Sequence, residues 1–543
     1  MSKPEPADPS AAAAERGRGT GHLSATAEVT PRPAPRTTWY DRVTTRLRAD
    51  PVLARRWAVL APVIVTLLAG ILRLWNLGHP PVLIFDETYY VKDAWSQWVL
   101  GYTADWPEGA DADFAQGETD TFLATGSFSV HPPLGKFLIG VGMALFGADS
   151  SVGWRIAAAV FGTAMVLVLY LFARTLTRSI AFATVAALLL AVDGQAIVMS
   201  RVSLLDTFLA FFVLLAAWFV ALDARGHAAR IAAGTASRDA PHEWGPVLWN
   251  RPWIIAAGAA AGCAGAVKWS GLYVLAALGV YLIVTDAWAR RRAGITFWPT
   301  DAVLRQGPVS FLLLVPVAVV VYLSTWTGWL LTAGGWGRNL GGETDPGAWG
   351  WVPESLRSLW LFHKAVYDFH VGLTTEHGYA SPAWQWPLLL RPTSMYYEST
   401  DCGGATCVQN IYSLNNPLIW WAGMAAALWL IYRFAVRPRW QTGLVLTGIA
   451  ATYVPWLLYP ERTIFQFYTV VMLPFVVLAL AYALRDLSGS ASFDAVRRAN
   501  GQRLVWVILI AVLVLTAFWY PIQTATTVPY DFWRLHNWLP GWI

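Results

Sequence analysis

The chain has 543 residues with 13% charged and 56% hydrophobic side chains, about half the usual charged fraction of roughly 25%, and its mean hydropathy is +0.43. That balance excludes a string of soluble domains. A formal net charge of +5 invites nucleic acid, but no nucleic-acid motif accompanies it, and cytoplasmic loops account for the excess.

Residues 1–50 are rich in Ala, Pro and Arg and lack the apolar core of a cleaved signal peptide, so they read as a disordered cytoplasmic tail. Residues 51–543 then form one transmembrane unit. Apolar runs predict spanning helices near 57–78, 152–173, 179–193, 204–222, 253–267, 270–288, 309–331, 417–435, 442–459, 465–484 and 504–521, because about 20 apolar residues cross a hydrocarbon core. With the N-terminus inside, most of the 39 Lys and Arg fall on the cytoplasmic side and a majority of the 34 acidic residues outside. This asymmetry sets the orientation. The apolar stretch 134–147 is too short to span without inverting every later loop, and it reads as interfacial or re-entrant. The fold expected is an all-α polytopic membrane protein with large external loops at 79–151 and 332–416. An aromatic external C-terminus, residues 522–543 with Trp533, Trp538 and Trp542, is expected at the interface. Cys263 lies in an apolar helix. Cys402 and Cys407 share the external CGGATC segment and suit a short disulfide, since a metal pair would need two further nearby ligands.

Chemistry concentrates at the outer mouth of the first span, in Phe85-Asp86-Glu87-Thr88-Tyr89-Tyr90. Adjacent carboxylates point to different faces and can take different roles, one accepting a proton from a hydroxyl and the other positioning it. The plain alternative is a helix N-terminus, which favours acidic residues. Further charges gather at the same side: Arg73, Arg155, Arg201 with Asp206, Lys268 at a tight turn, and Glu461-Arg462. Each alone is as readily a snorkelling or paired residue; together they argue for a polar site facing the bilayer. Arg and Lys suit phosphate, and Trp384 and Trp386 suit a sugar or an isoprenoid chain. A lipid-linked phosphosugar meets all three requirements, whereas no Gly-rich phosphate loop or HExxH supports a nucleotide donor or a zinc protease.

The segments Arg73-Leu74-Trp75-Asn76-Leu77, Phe85-Asp86-Glu87, His131-Pro132-Pro133-Leu134-Gly135-Lys136, Ser200-Arg201 through Asp206, Val267-Lys268-Trp269-Ser270-Gly271, His377-Gly378-Tyr379-Ala380-Ser381 and Trp384-Gln385-Trp386-Pro387 occur in that order. In this the chain resembles the protein O-mannosyltransferases of the bacterial polyprenol-phosphate-mannose type, over roughly residues 57–540. The resemblance implies a GT-C-type fold with eleven spanning helices and first-loop helices lying along the membrane. Eukaryotic members carry a β-trefoil domain in the long external loop, for which residues 332–416 are too few. The family's His-Pro-Tyr reads His377-Gly378-Tyr379 here.

The implied reaction moves mannose from polyprenyl phosphate mannose to a Ser or Thr hydroxyl of an exported protein, with inversion, at the external face of a bacterial plasma membrane. Asp86 is the implied base and Glu87 orients acceptor or sugar. Arg155, Arg201, Lys268 and Arg73 are candidates for the donor phosphate or sugar, with Asp206, His131, His377 and Trp384 in support. No cofactor or metal is expected, a divalent cation being the one alternative left open. Partners would be the donor lipid, membrane lipids and Ser/Thr-containing polypeptides delivered at a secretion channel. Two other readings compete: a lipid-donor enzyme for another sugar or a lipid or glycan acceptor, and a transporter, which should show internal repeats and midplane charges.

Overall fold

A computed structural model of the chain describes residues 38–236, 243–489 and 494–542. The protein is mostly helical. Among the described residues seven helices are long and apolar enough to cross a membrane: Pro51–Leu74, Ser151–Thr177, Asp206–Thr235, Ser270–Arg292, Trp298–Ser324, Pro417–Val436 and Ala495–Gln523. A helix stands at every one of the eleven expected spans, but four are shorter: Ile180–Ala191, Pro252–Val267, Trp440–Tyr453 and Leu473–Leu487. The last two are flanked by 3-10 turns, Val454–Leu458 and Gln466–Val471. The stretch expected to be short is the helix Pro133–Phe146. It carries a buried Lys136 that bonds Ser129 and faces Asp93 at 3.6 Å, which ties it to the Glu87–Leu100 helix beside it.

Of the expected tail, residues 1–37 lie outside the described residues. Its end is not a tail: Trp39–Ala49 is helical, capped by Thr38. Asp41 bonds Arg498 and Gln502, and Trp39 meets Trp506 edge-on at 5.8 Å. Composition there signals low order, and tertiary contacts with the Ala495–Gln523 helix override it.

The short Pro252–Val267 helix is rich in Ala and Gly because it is wedged against two neighbours, the Asp206–Ala236 and Gly307–Ser324 helices. A Cβ at Gly258 would stand 2.4 Å from the Leu314 carbonyl oxygen, and one at Gly262 would stand 2.6 Å from that of Ala318. Small residues four apart let two backbones touch, as membrane helix pairs require.

The all-α expectation needs correcting in the 332–416 loop. After the Glu354–Gly372 helix, strands β1 (Thr393–Asp401) and β2 (Thr406–Ser413) pair antiparallel, and β3 (Val528–Pro529) adds to β2. Tyr, Thr, Ser, Val and Ile populate these strands, residues that fit a pleated surface. Gly403 and Gly404 take φ of +76° and +94° in the turn, and Cys402 and Cys407 are joined across it. The third strand ties the C-terminal segment down. Trp542 is buried there, donating from Nε1 to the Leu389 carbonyl at 2.6 Å, while Trp538 stays exposed.

A matched pair of substitutions tests the helix contact. Gly258→Ala should lower the melting temperature of the detergent-solubilised protein, overpacking costing about 1–3 kcal/mol. Gly226→Ala, whose Cβ would meet only an Arg230 side chain at 3.6 Å, should leave it unchanged or raise it through helix propensity.

Candidate active site

Below the first span the chain turns outward and reaches Phe85, which adopts a φ of +50°. A bulky residue holds that conformation only when its surroundings impose it. Here the ring is boxed edge-on by His377, Phe465 and Phe467, with centroids at 5.9, 5.8 and 5.7 Å. The turn places Asp86 at the N-cap of the Glu87–Leu100 helix, yet its side chain makes no capping bond and remains only partly buried. Burial pushes its carboxyl up to about 6, against the pull of Lys268 and with a push from Asp206. The carboxylate is thus free, ionised at neutral pH and more basic than usual.

Glu87 has the opposite fate. It is fully buried, and Arg155 grips both of its oxygens, Nε to Oε1 and Nη2 to Oε2, each at 2.8 Å. Backbone N–H groups of Ser203 and Ile84 also donate to it, at 2.8 and 3.1 Å. Arg155 spends its remaining donors on the Pro80 and Val82 carbonyls, both at 2.9 Å, and the Leu77 carbonyl at 3.5 Å, and is itself buried. Neither side chain has a lone pair or proton left for a substrate.

Two further candidates are also occupied. Arg73 donates to the Ala191 and Leu190 carbonyls at 2.9 and 3.2 Å, capping the Ile180–Ala191 helix. Arg201 donates to the carbonyls of Arg73 at 3.0 Å and Trp75 at 2.6 Å, capping the first span. Cations suit helix C-termini, where carbonyls lack partners.

An open groove remains, lined by Asp206, Lys268, His131, His370, Arg462 and Tyr468, and walled by aromatic residues including Trp269 and Trp456. Lys268 sits just past the Pro252–Val267 helix, pairs with Asp206 at 2.7 Å and lies over the Tyr468 ring at 5.0 Å. Arg462 stacks on Trp456 at 5.4 Å and donates to His370 Nδ1 at 3.0 Å. His370 and His131 stack at 5.1 Å. Burial and the nearby Lys268, Arg462 and Lys136 cations push His131 well below its ordinary value, and burial with Arg462 pushes His370 down to about 4.

Of the residues singled out in the sequence, Asp206, Lys268 and His131 line this groove, Asp86 lies within electrostatic range of Lys268 and Asp206, and His377 stands against Phe85. Glu87, Arg155, Arg73 and Arg201 lie behind them, buried. Trp384 is exposed away from the groove, and Trp386 is buried in the core, its Nε1 on the Ser381 carbonyl at 2.8 Å. The groove adds His370, Arg462 and Tyr468. Arg462 stood out only as one of several outer charges, and nothing in the local pattern marks the other two. Among the described residues no three His, Cys, Asp or Glu are placed to hold a metal ion.

Comparison with known proteins gives the family of the chain. The family described as "Dolichyl-phosphate-mannose-protein mannosyltransferase" matches residues 146–332, and "C-terminal four TMM region of protein-O-mannosyltransferase" matches residues 355–542. A polyprenol-phosphate-mannose–protein mannosyltransferase of Mycolicibacterium smegmatis strain MKD8 is 35% identical over 504 residues, 90% of this chain and 93% of that one. The chain belongs to the protein O-mannosyltransferase family. Among solved structures, the Saccharomyces cerevisiae protein O-mannosyltransferase Pmt1–Pmt2 complex bound to the sugar donor superposes with a TM-score of 0.67 at 17% identity, covering 89% of this chain and 92% of that chain. The archaeal oligosaccharyltransferase AglB of Archaeoglobus fulgidus follows at 0.52 and 14% identity, covering 89% and 58%. These likenesses give this protein O-mannosyltransferase a GT-C-like fold.

The Glu87–Arg155 geometry sets an expectation. Removing one partner of a buried pair costs about 3–5 kcal/mol, so Arg155→Ala should lower thermal stability and activity together. Lys at this position should rescue neither, having one ammonium where a fork bonds four groups. Thermal denaturation measured beside mannose transfer checks this; lost activity at unchanged stability would contradict it.

Proposed function

We propose that this protein O-mannosyltransferase moves mannose from polyprenyl phosphate mannose to a Ser or Thr hydroxyl of an exported polypeptide in one inverting displacement, with Asp86 as general base. The Asp86 carboxylate takes the hydroxyl proton as that oxygen bonds the anomeric carbon. The bond from that carbon to the phosphate oxygen breaks, and the electron pair leaves with polyprenyl phosphate. Lys268 and Arg462 counter the charge that develops on the phosphate. The observation that carries the reading is Asp86 itself: a partly buried carboxylate without a capping bond, raised to about 6 by burial, is suited to accept a proton near neutral pH.

Glu87 then serves by position, setting the turn that carries Asp86, and Arg155 holds Glu87. Arg73 and Arg201 brace the loops around the groove. Asp206 orients Lys268, and His377 supports the Phe85 turn. Exposed Trp384 is free to meet an acceptor chain. The isoprenoid tail fits the continuation of the groove between the Ser270–Arg292 and Trp440–Tyr453 helices, a cavity of about 460 Å³ lined by Ala277, Val280, Val284, Gly443, Leu446 and Ala450. Charge asymmetry supports eleven crossings of a bacterial plasma membrane, with residues 1–50 cytoplasmic, the body of the enzyme in residues 51–543, and the 79–151 and 332–416 loops external. The first-loop helices would lie along the membrane, and acceptors would arrive from a secretion channel.

Asp86→Asn should reduce transfer of labelled mannose to a Ser/Thr peptide by about 10²- to 10⁴-fold, the usual contribution of a general base, with membrane insertion and donor binding unchanged. A helix-terminal charge contributes only about 0.3–1 kcal/mol to stability, so retained turnover would return Asp86 to a structural role.

A further inference from the structure

The groove contains a cation whose placement needs explaining. Among the described residues no carboxylate lies within ion-pair reach of Arg462, and its buried Nε has no partner. Its guanidinium is held by Trp456 beneath it and by one hydrogen bond, from Nη2 to His370 Nδ1 at 3.0 Å. The other ring nitrogen of His370 lies 2.8 Å from the Val130 carbonyl oxygen. A carbonyl can only accept and a guanidinium can only donate, so these two contacts fix one neutral tautomer, protonated at Nε2 and accepting at Nδ1. His131, the next residue after Val130, stacks on the same ring and approaches Tyr90 at 6.0 Å. Tyr90 in turn donates its backbone N–H to the Asp86 carbonyl at 3.1 Å. A continuous series of contacts therefore runs from the base, through the first external loop, to the cation.

We infer that His370 is a positioning residue for the donor: its Nδ1 acceptor aims the Arg462 guanidinium at the lipid phosphate and registers it against the loop that carries Asp86. An ion-paired arginine would have its charge neutralised, whereas a neutral imidazole orients it and leaves the whole positive charge for the donor. The depressed proton affinity of His370, from burial and from Arg462, keeps the ring neutral through the physiological range. This inference rests on Arg462 contacting the donor phosphate, as proposed above.

The test uses the full chain in detergent and measures the inhibition constant of polyprenyl phosphate, the lipid phosphate without its sugar, against mannose transfer, alongside KM for the acceptor peptide. Arg462→Ala examines the underlying reading and should raise the inhibition constant. His370→Ala should raise it about tenfold, on the order of one hydrogen bond to a charged group, with acceptor KM unchanged. His370→Asn keeps an acceptor where Nδ1 stood and should stay near wild type. His370→Gln keeps only the donor toward Val130 and should behave as Ala. The double variant His370→Ala with Arg462→Ala should be no worse than Arg462→Ala alone. If Gln were normal and Asn impaired, or if the two losses added, His370 would be a tether to Val130 and the inference would fall while Arg462 kept its role. An unchanged constant in Arg462→Ala would remove Arg462 from the donor site and the inference with it.

Discussion

The buried ion pair between Glu87 and Arg155 is the contact on which the site depends. Seven hydrogen bonds hold it, from the first-loop turn, the Ser151–Thr177 helix and the backbone just before the Asp206–Ala236 helix. Desolvating two charges is costly, and the pair is tolerable because the guanidinium fork matches the carboxylate and every remaining donor and lone pair finds a partner. It gives no catalytic group directly. Its effect is to fix the backbone of residue 87, so that the preceding residue must turn outward. Phe85, strained and enclosed by three rings, completes the same restraint from the other side.

Cations around the groove divide by what they bond. Arg155 ends on Glu87 and on loop carbonyls, while Arg73 and Arg201 end on carbonyls and close the ends of helices that would otherwise expose unpaired oxygens in an apolar setting. Lys268 and Arg462 instead face the groove, the first beside a single carboxylate and the second beside a neutral ring. With Asp86 and Asp206 both ionised the two cations are matched, and Asp86 loses its charge on taking the hydroxyl proton as charge develops on the leaving phosphate. Ion pairs also gather at the other end of the helices, where Asp223 joins Arg251 and Arg230 and buried Asp286, Arg290 and Asp301 form a chain that ends on the exposed Arg305. That network is closed on itself and locks the loops at that end.

Much of this was legible in the sequence because membranes simplify it. Apolar runs located a helix at each expected span, though the ends differ and the Asp206–Ala236 helix runs well past residue 222; the Asp86-Glu87 pair stood out against an apolar background, and CGGATC suited the disulfide found. What was not legible has physical reasons. Residue type says that Arg155 can bind a phosphate, but only three dimensions reveal that its donors are already used. The β1–β2 hairpin was hidden because TSMYYESTD shows no clean apolar–polar alternation, and the Trp39–Ala49 helix because composition carries no record of the Arg498 and Trp506 it meets. His370 and Tyr468 join the groove from elements far apart in the chain, and single-chain periodicity does not bring distant residues together.

The central claim is that Asp86, held free and made more basic by burial, accepts the proton in the transfer step. The pH dependence of kcat/KM for the donor tests it directly, since this ratio reports ionisations of the free enzyme and the phosphodiester donor does not titrate in the range. A base must be deprotonated to act, so the ratio should be level above neutrality and fall about tenfold per pH unit below a midpoint near 6, with that limb absent from the residual activity of Asp86→Asn. A midpoint near 4, the range of an unperturbed carboxylate, or an acidic limb that persists in Asp86→Asn, would contradict the account.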